Sequence, residues 1–439
     1  MELSTGRLLG ALSALVQYVL VSLMQNSKKP LLIVFLTVFI DLVGFGIVIP
    51  LSPYLAKEYG ADALQVGLLL TIYSLMQFLF SPFWGQLSDR VGRRPIILMS
   101  VFGAGLAHLL FGFAQSYLVL FIARLFAGLF GANISTAFAY VADVTDEANR
   151  SKGMGIVGAA FGLGFVFGPF LGAELGHLGE QLGEAAPFGS SFAAIGAAVI
   201  CFVNTILAYF YLPESLPGKS AYAAQDKLTR SAKGLKQRLQ GLVSALRRPA
   251  LGRLMVVYFL ATTAMAHMEA ALFLYVKDDF GLSLRQAGYG FAYVGILIAF
   301  TQGFLIRRLI PKFGDKKVLL AGLLMTAIGL AGIGFVDSVL QLGLVVTFLG
   351  LGSGLYGPSL NGLVSLLAGK SEQGAVMGTS QSFSALGRIL GPVMGGFIYR
   401  DLGHEFPFWV AGGLCLLGLL LAFSVLASDA LSKPALKHS

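Results

Sequence analysis

Apolar residues run through this chain in stretches of about twenty, each closed by a short polar or glycine-rich break. Twelve such runs can be read: 31–53, 64–84, 95–114, 117–141, 153–177 and 190–212, then 254–276, 284–306, 317–336, 338–364, 374–399 and 405–428. A helix rises about 1.5 Å per residue, so roughly 20 apolar residues cross a hydrocarbon core of about 30 Å. Each run therefore predicts one spanning helix. Membrane barrels show weakly alternating segments of about ten residues instead. The expected fold class is an all-α integral membrane protein with 12 transmembrane helices.

The breaks divide the chain. The longest separates six runs from six, giving an N-terminal extension (1–30), a six-helix half (31–212), a linker (213–252), a second half (253–428) and a tail (429–439). Residues 8–24 are apolar and uncharged but short for a span, and Ser13 and Gln17 share a face. That suits a helix lying in the membrane interface, with a thirteenth span as the alternative. In the linker, Leu235, Leu239, Leu242 and Leu246 form one apolar stripe amid basic residues. It reads as a surface-lying helix or as a solvated tether.

Composition agrees with the pattern: 56% of residues are hydrophobic and only 12% charged, against about 25% charged in soluble domains. Of the 31 Lys and Arg, 25 fall on one set of alternate loops and tails and four on the other. By the positive-inside rule both termini are cytoplasmic, in a multi-pass protein of a plasma or bacterial inner membrane. The net charge of +9 then belongs to loops facing an anionic leaflet, and no nucleic-acid partner is implied. Cys201 and Cys415 lie far apart in apolar runs, with no CxxC or Cys/His cluster. No metal, cofactor or nucleophile–base pair is expected, so the chain does not read as an enzyme.

The halves repeat one another. Gly155, Gly164, Gly168, Pro169 and Gly172 of run 5 recur as Gly378, Gly387, Gly391, Pro392 and Gly395 of run 11, at a constant offset of 223. SDRVGRRPIIL after run 2 matches IPKFGDKKVLL after run 8, with Gly92 aligned to Gly314. A duplicated six-helix unit points to a transporter with its site between the halves near the midplane.

These segments resemble the major facilitator superfamily, in its drug–proton antiporter branch with the tetracycline-efflux transporters. GQLSDRVGRR at 85–94 is similar to the superfamily's loop signature between helices 2 and 3. DLVGFGIVIP at 41–50 resembles its helix 1, and Arg124 to Gly128 with AYVADVTD at 139–146 resembles its helix 4. Gly155, Gly164, Gly168, Pro169 and Gly172 resemble the antiporter signature of helix 5, with Ala173 where a second glycine is usual. The resemblance implies the major facilitator fold, with two pseudo-symmetric halves, working by alternating access. It implies proton-coupled efflux of an organic small molecule, with the proton gradient as driving force and no bound cofactor. Protons, membrane lipids and that substrate are the expected partners of a monomer.

Residues 85–94 read as a conformational latch. Gly85 is expected to let helix 2 approach a neighbour closely, and Gly92 to permit a sharp turn. Asp89 is placed to accept hydrogen bonds from a helix amino terminus of the other half. Arg93 is placed to pair with Asp143, while Arg90 and Arg94 are accounted for by the positive-inside rule.

Ionisable groups inside spans are costly and default to functional hypotheses. Asp41 lies about 15 Å along helix 1, near the midplane, on a face with Thr37, Gly44, Val48 and Ser52. Arg124 needs a carboxylate partner or a bound anion, and Asp41 is the obvious candidate. On helix 7, Tyr258, Thr262 and Glu269 form one polar face, making Glu269 a second proton carrier. His267, and likewise His108, read as packing residues or alternative titrating groups. Gln381, Ser384 and Arg388 form a stripe on helix 11, and a second interior arginine raises an organic anion or lysolipid-like amphiphile as the alternative substrate. A receptor or scaffold built on the same fold is the reading from another class. Tetracycline-efflux relatives carry an acid in helix 3 where this chain has Ala107, an acid in helix 9 that is missing here, and a histidine that helix 8 lacks. Tetracycline as substrate therefore does not follow.

Overall fold

A computed structural model of the protein describes residues 29–145, 150–216, 244, 246–368 and 373–427. The interfacial helix expected at 8–24, most of the linker stripe and the tail lie outside them. All regular elements among the described residues are helical.

Six helices form the first half: α1 (Lys29–Glu58), α2 (Ala63–Val91), α3 (Arg93–Gly112), α4 (Tyr117–Val144), α5 (Arg150–Leu182) and α6 (Phe192–Tyr211). The second half opens with α7 (Pro249–Asp278). A continuous stretch, Leu284–Ile333, follows; it is 50 residues long, about 75 Å if it were one straight helix and far too long for one span. Gly314 (φ 77°, ψ 155°) breaks it into α8 and α9. Then come α10 (Val339–Leu367), α11 (Gln373–Asp401) and α12 (Phe406–Ala427). Among the described residues, ten helical stretches are long and apolar enough to cross a membrane. Dividing the long one at Gly314 and adding α11, whose serines, Gln381 and Arg388 dilute its apolarity, gives the twelve expected.

The duplication is written into the helix ends. Asp62 and Gln65 close a capping box on α2, and Ser283 and Gln286 close its counterpart on α8. Ser116 caps α4 and Ser338 caps α10, each accepting from the backbone of the third helical residue. Gly92 (φ 107°, ψ 156°) separates α2 from α3 with nearly the backbone that Gly314 uses between α8 and α9. Only glycine adopts such a conformation without cost.

Glycines set the packing within each half. A β-carbon on Gly164 or Gly168 would stand 2.7 Å from Leu42 Cβ or 2.6 Å from Gly46 Cα, so α5 lies directly on α1. In the repeat, a β-carbon on Gly391 or Gly395 would stand 2.8 Å or 2.5 Å from backbone atoms of α7. Pro169 and Pro392 stand inside these helices. With lipid as apolar as any side chain, such close contact is what holds membrane helices together.

The halves meet through α2 with α11 and α5 with α8. Again one contact occurs twice: Gly67 approaches the carbonyl of Pro392, and Gly288 that of Pro169. These seams close only toward the end bearing the α1–α2, α5–α6, α7–α8 and α11–α12 connections, here the far end. Gly176, Gly288 and Gly295 mark α5–α8 contacts there, whereas Gly158, Gly162 and Gly303 toward the linker end have open space around them. Three ion pairs cross between halves at the far end: Lys57–Asp278 at 2.8 Å, Asp62–Arg400 at 3.3 Å and Glu174–Arg285 at 3.1 Å. No ion pair among the described residues crosses at the linker end. The molecule is sealed at the far end and splayed at the linker end.

Candidate functional site

A buried polar cluster lies inside the first half. α4 is not one smooth helix: Tyr117–Phe130 gives way to a 3₁₀ turn, Gly131–Asn133, before Ile134–Val144. Irregular backbone at membrane depth is tolerated where it lines a cavity. Here Gly131 and Ile134 border a small cavity with Asp41, Phe45, Tyr73 and His108. Gln77 donates to the carbonyl of Gly131 at 3.0 Å, satisfying one group that the turn frees. Asn133 turns its amide to the Asp41 carboxyl.

Arg124 lies on the same helix, only 1% exposed. The ion pair expected with Asp41 is not formed: no carboxylate among the described residues lies within 4.0 Å of this guanidinium. Its carbon centre stands 4.7 Å from the centroid of Tyr73 and 6.0 Å from that of Phe45, two rings stacked on each other at 4.7 Å. A desolvated cation on an aromatic face gains about 2 kcal/mol, well short of what burying it costs. Nε and Nη1 have no hydrogen-bond partner among the described residues. The carboxylate partner is thus replaced by an aromatic cradle with two donors left over.

The second half holds a more open cluster. Arg388 and Gln381 are exposed in the gap between the halves, while Ser384 is buried beneath them. Arg388 donates from Nη1 to Ser384 at 3.0 Å, and Thr262 donates to the same hydroxyl at 3.4 Å. Tyr258 donates to Asn361 of α10 at 3.2 Å. Glu269 and Tyr258 both lie within the field of Arg388, as does Tyr73 across the seam. Tyr73 therefore stands between the two interior arginines. Thr71, two residues before it, donates across that seam to the carbonyl of Ile389 at 2.9 Å. His267 is fully buried, its backbone lies against Gly391 and Gly395, and neither ring nitrogen has a hydrogen-bond partner among the described residues.

At the linker end, Arg93 donates from Nε to Asp143 at 3.0 Å and contacts Asp89 at 2.7 Å and Ser88 at 2.7 Å. Asp89 does not accept from a helix of the other half, because the halves are apart there. That role is filled within the first half by Glu214, whose carboxylate accepts from the backbone N–H of Arg93 at 2.9 Å and of Arg94 at 3.2 Å. Gly92 has a structural reason beyond its turn, since a β-carbon would stand 2.4 Å from Glu214 Oε2. Gly85 makes no close approach; its nearest neighbour, Ser135 Oγ, is 3.6 Å from where a β-carbon would be. Arg94 donates to the last carbonyls of α6 at Tyr209, and Arg90 is exposed.

The structure thus groups Asp41, His108 and Arg124 in one half and Tyr258, Thr262, Glu269, Gln381, Ser384 and Arg388 in the other. Sequence reasoning missed Asn133, Tyr73, Asn361 and Glu214. Tyr73 and Asn361 carry no spacing signal; Glu214 sits beside Pro213 after an apolar run, a helix-end pattern that flagged a boundary but not a cap.

Residues 34–311 and 254–438 match the family profile of the Major Facilitator Superfamily. The class B tetracycline resistance protein of Escherichia coli is 30% identical over 90% of this chain and 93% of its own length. The crystal structure of the human organic anion transporter MFSD10 (TETRAN) superposes with a TM-score of 0.67 at 28% identity, covering 91% of this chain and all of that one. A bacterial homologue of the human lysosomal transporter Spinster shares the fold, with a TM-score of 0.75 at 14% identity over 94% of this chain and all of that one.

Proposed function

Because the chain belongs to the major facilitator superfamily, whose members are membrane transporters and not enzymes, we propose that it exports an organic, amphiphilic small molecule in exchange for protons by alternating access. The observation that carries this reading is the one-sided closure. A gap lined by Glu269, Arg388, Gln381 and Tyr258 opens at the linker end, beside a half whose Asp41 forms no ion pair with an arginine among the described residues. The linker end is taken as cytoplasmic on the charge asymmetry of the loops, so this is the state that loads substrate from inside. A carboxyl group in a low-dielectric site holds its proton until a cation or water reaches it. Substrate entering beside Glu269 or Asp41 favours proton release inward, and reprotonation from outside favours substrate release. Exchange follows only if proton and substrate have different affinities in the two states. The driving force is the proton gradient, the unit a monomer in the lipid bilayer.

A second reading, an organic anion as substrate, is favoured by Arg388. Its guanidinium faces the gap and donates to Ser384 at 3.0 Å. The human relative at 28% identity is an organic anion transporter. Proton release from detergent-solubilised protein tests both. Release on adding ethidium supports a cationic substrate, release on adding fluorescein an anionic one, and release with neither across a range of pH sinks antiport for both probes. Arg388→Ala is expected to weaken fluorescein binding selectively and Arg388→Lys to restore it only in part, since a planar two-donor clamp is lost. Equal loss for both probes in a stably folded Arg388→Ala overturns the anion reading.

A further inference from the structure

The acid on α1 has a titratable neighbour that the exchange scheme does not use. His108 of α3 is buried, 4% exposed, and borders the same cavity as Asp41. Its ring is turned toward α1: Nε2 lies 3.8 Å from where a β-carbon on Gly44 would stand, one turn along from Asp41. The cavity is polar on these two sides and has room for a water. The apolar contact with Tyr73 and Ala127 is made by the neighbouring Ala107.

We infer that His108 is a second proton-handling residue, which exchanges a proton with Asp41 through water in their shared cavity. The step is a neutral pair becoming an ion pair. The Asp41 carboxyl gives its proton to the water, the water gives one to His108, and a carboxylate faces an imidazolium. The reverse step restores both. Every element packed around the ring contributes to its setting: Asp41 from α1, Tyr73 from α2, Arg124 from α4 and Cys201 from α6. Because the imidazolium forms by taking the proton that Asp41 releases, the charge on His108 exists only beside an ionised Asp41. His108 thus gives the proton a place to wait without leaving the first half. This rests on the proton-exchange reading but is tested apart from it.

Histidine-labelled full-length protein in nanodiscs offers a direct readout, since the chain has five histidines and His108→Asn identifies the signal. The ring nitrogens of His108 are expected to titrate in wild type, with a midpoint moved by about one pH unit or more in Asp41→Asn, while His267 is unmoved. A His108 signal that keeps one neutral tautomer from pH 5 to 9, or is indifferent to Asp41→Asn, overturns the inference. In proteoliposomes loaded with ethidium and, separately, with fluorescein, His108→Asn is expected to lower gradient-driven efflux about tenfold or more, and His108→Glu to restore part of it. Restoration by Gln as complete as by Glu means the residue only packs. If wild type moves neither probe against a gradient, antiport of these compounds fails, and the titration still decides whether the two groups share a proton.

Discussion

Glu174 of α5 grips Arg285 of α8 with both carboxylate oxygens, at 3.1 Å and 3.2 Å, and accepts from Tyr289 on the same helix. Asp62 at the start of α2 and Arg400 at the end of α11 are joined at the corresponding seam, with the signs of charge exchanged. Glu174 is thereby part of the closure of the far end. Exposed pairs of this kind contribute about 0.2–1 kcal/mol each. Three of them bias the far end shut without locking it, which is what an alternating transporter requires.

Removing two of them is therefore expected to shift the balance outward. In Glu174→Gln/Asp62→Asn, spin labels across the far end should show a larger fraction of long distances than in wild type. An unchanged distance distribution means that the glycine seams alone hold the gate.

Gly391→Val places new atoms against the backbone of Thr263 and His267, where even a β-carbon meets atoms at 2.8–2.9 Å. A loss of about 1–3 kcal/mol or more is expected from overpacking, read as a lower temperature of thermal aggregation. Gly378→Ala, with open space around it, serves as the control. Equal stability of both variants contradicts the packing role assigned to the repeat.

At the linker end, Asp89→Lys puts two cations side by side on α2 and α3 in place of a 2.7 Å contact. Transport is expected to fall at least about tenfold, with expression and ligand binding nearly intact, because only the conformational balance changes. Normal transport rejects the latch. Glu214→Gln should instead lower stability, by roughly 1 kcal/mol, through the lost charge on two helix-start N–H groups.

Asp41→Asn is expected to uncouple transport from the proton gradient more completely than Glu269→Gln, with counterflow in the absence of a gradient persisting. The comparison separates a proton site in the first half from one beside the substrate gap. An unaltered pH dependence of uphill efflux in Asp41→Asn removes that residue from the proton path.

The sequence by itself determined the number and span of the helices, the two halves and their repeat. Those follow from short-range physics: bilayer thickness sets run length, and glycine at Gly92, Gly168 or Gly391 answers to local backbone and packing demands. It also marked Asp41, Arg124, Glu269 and Arg388, because a charge inside an apolar run is conspicuous in one dimension. Partnership was not legible. Arg124 stacks on Tyr73 instead of meeting Asp41, Glu214 and not Asp89 caps a helix, and His108 turns toward Asp41. Each of these depends on which helix faces are brought together and at what height, and on which end of the molecule is closed. Helical periodicity names a face but not its neighbour, and only the tertiary packing decided that.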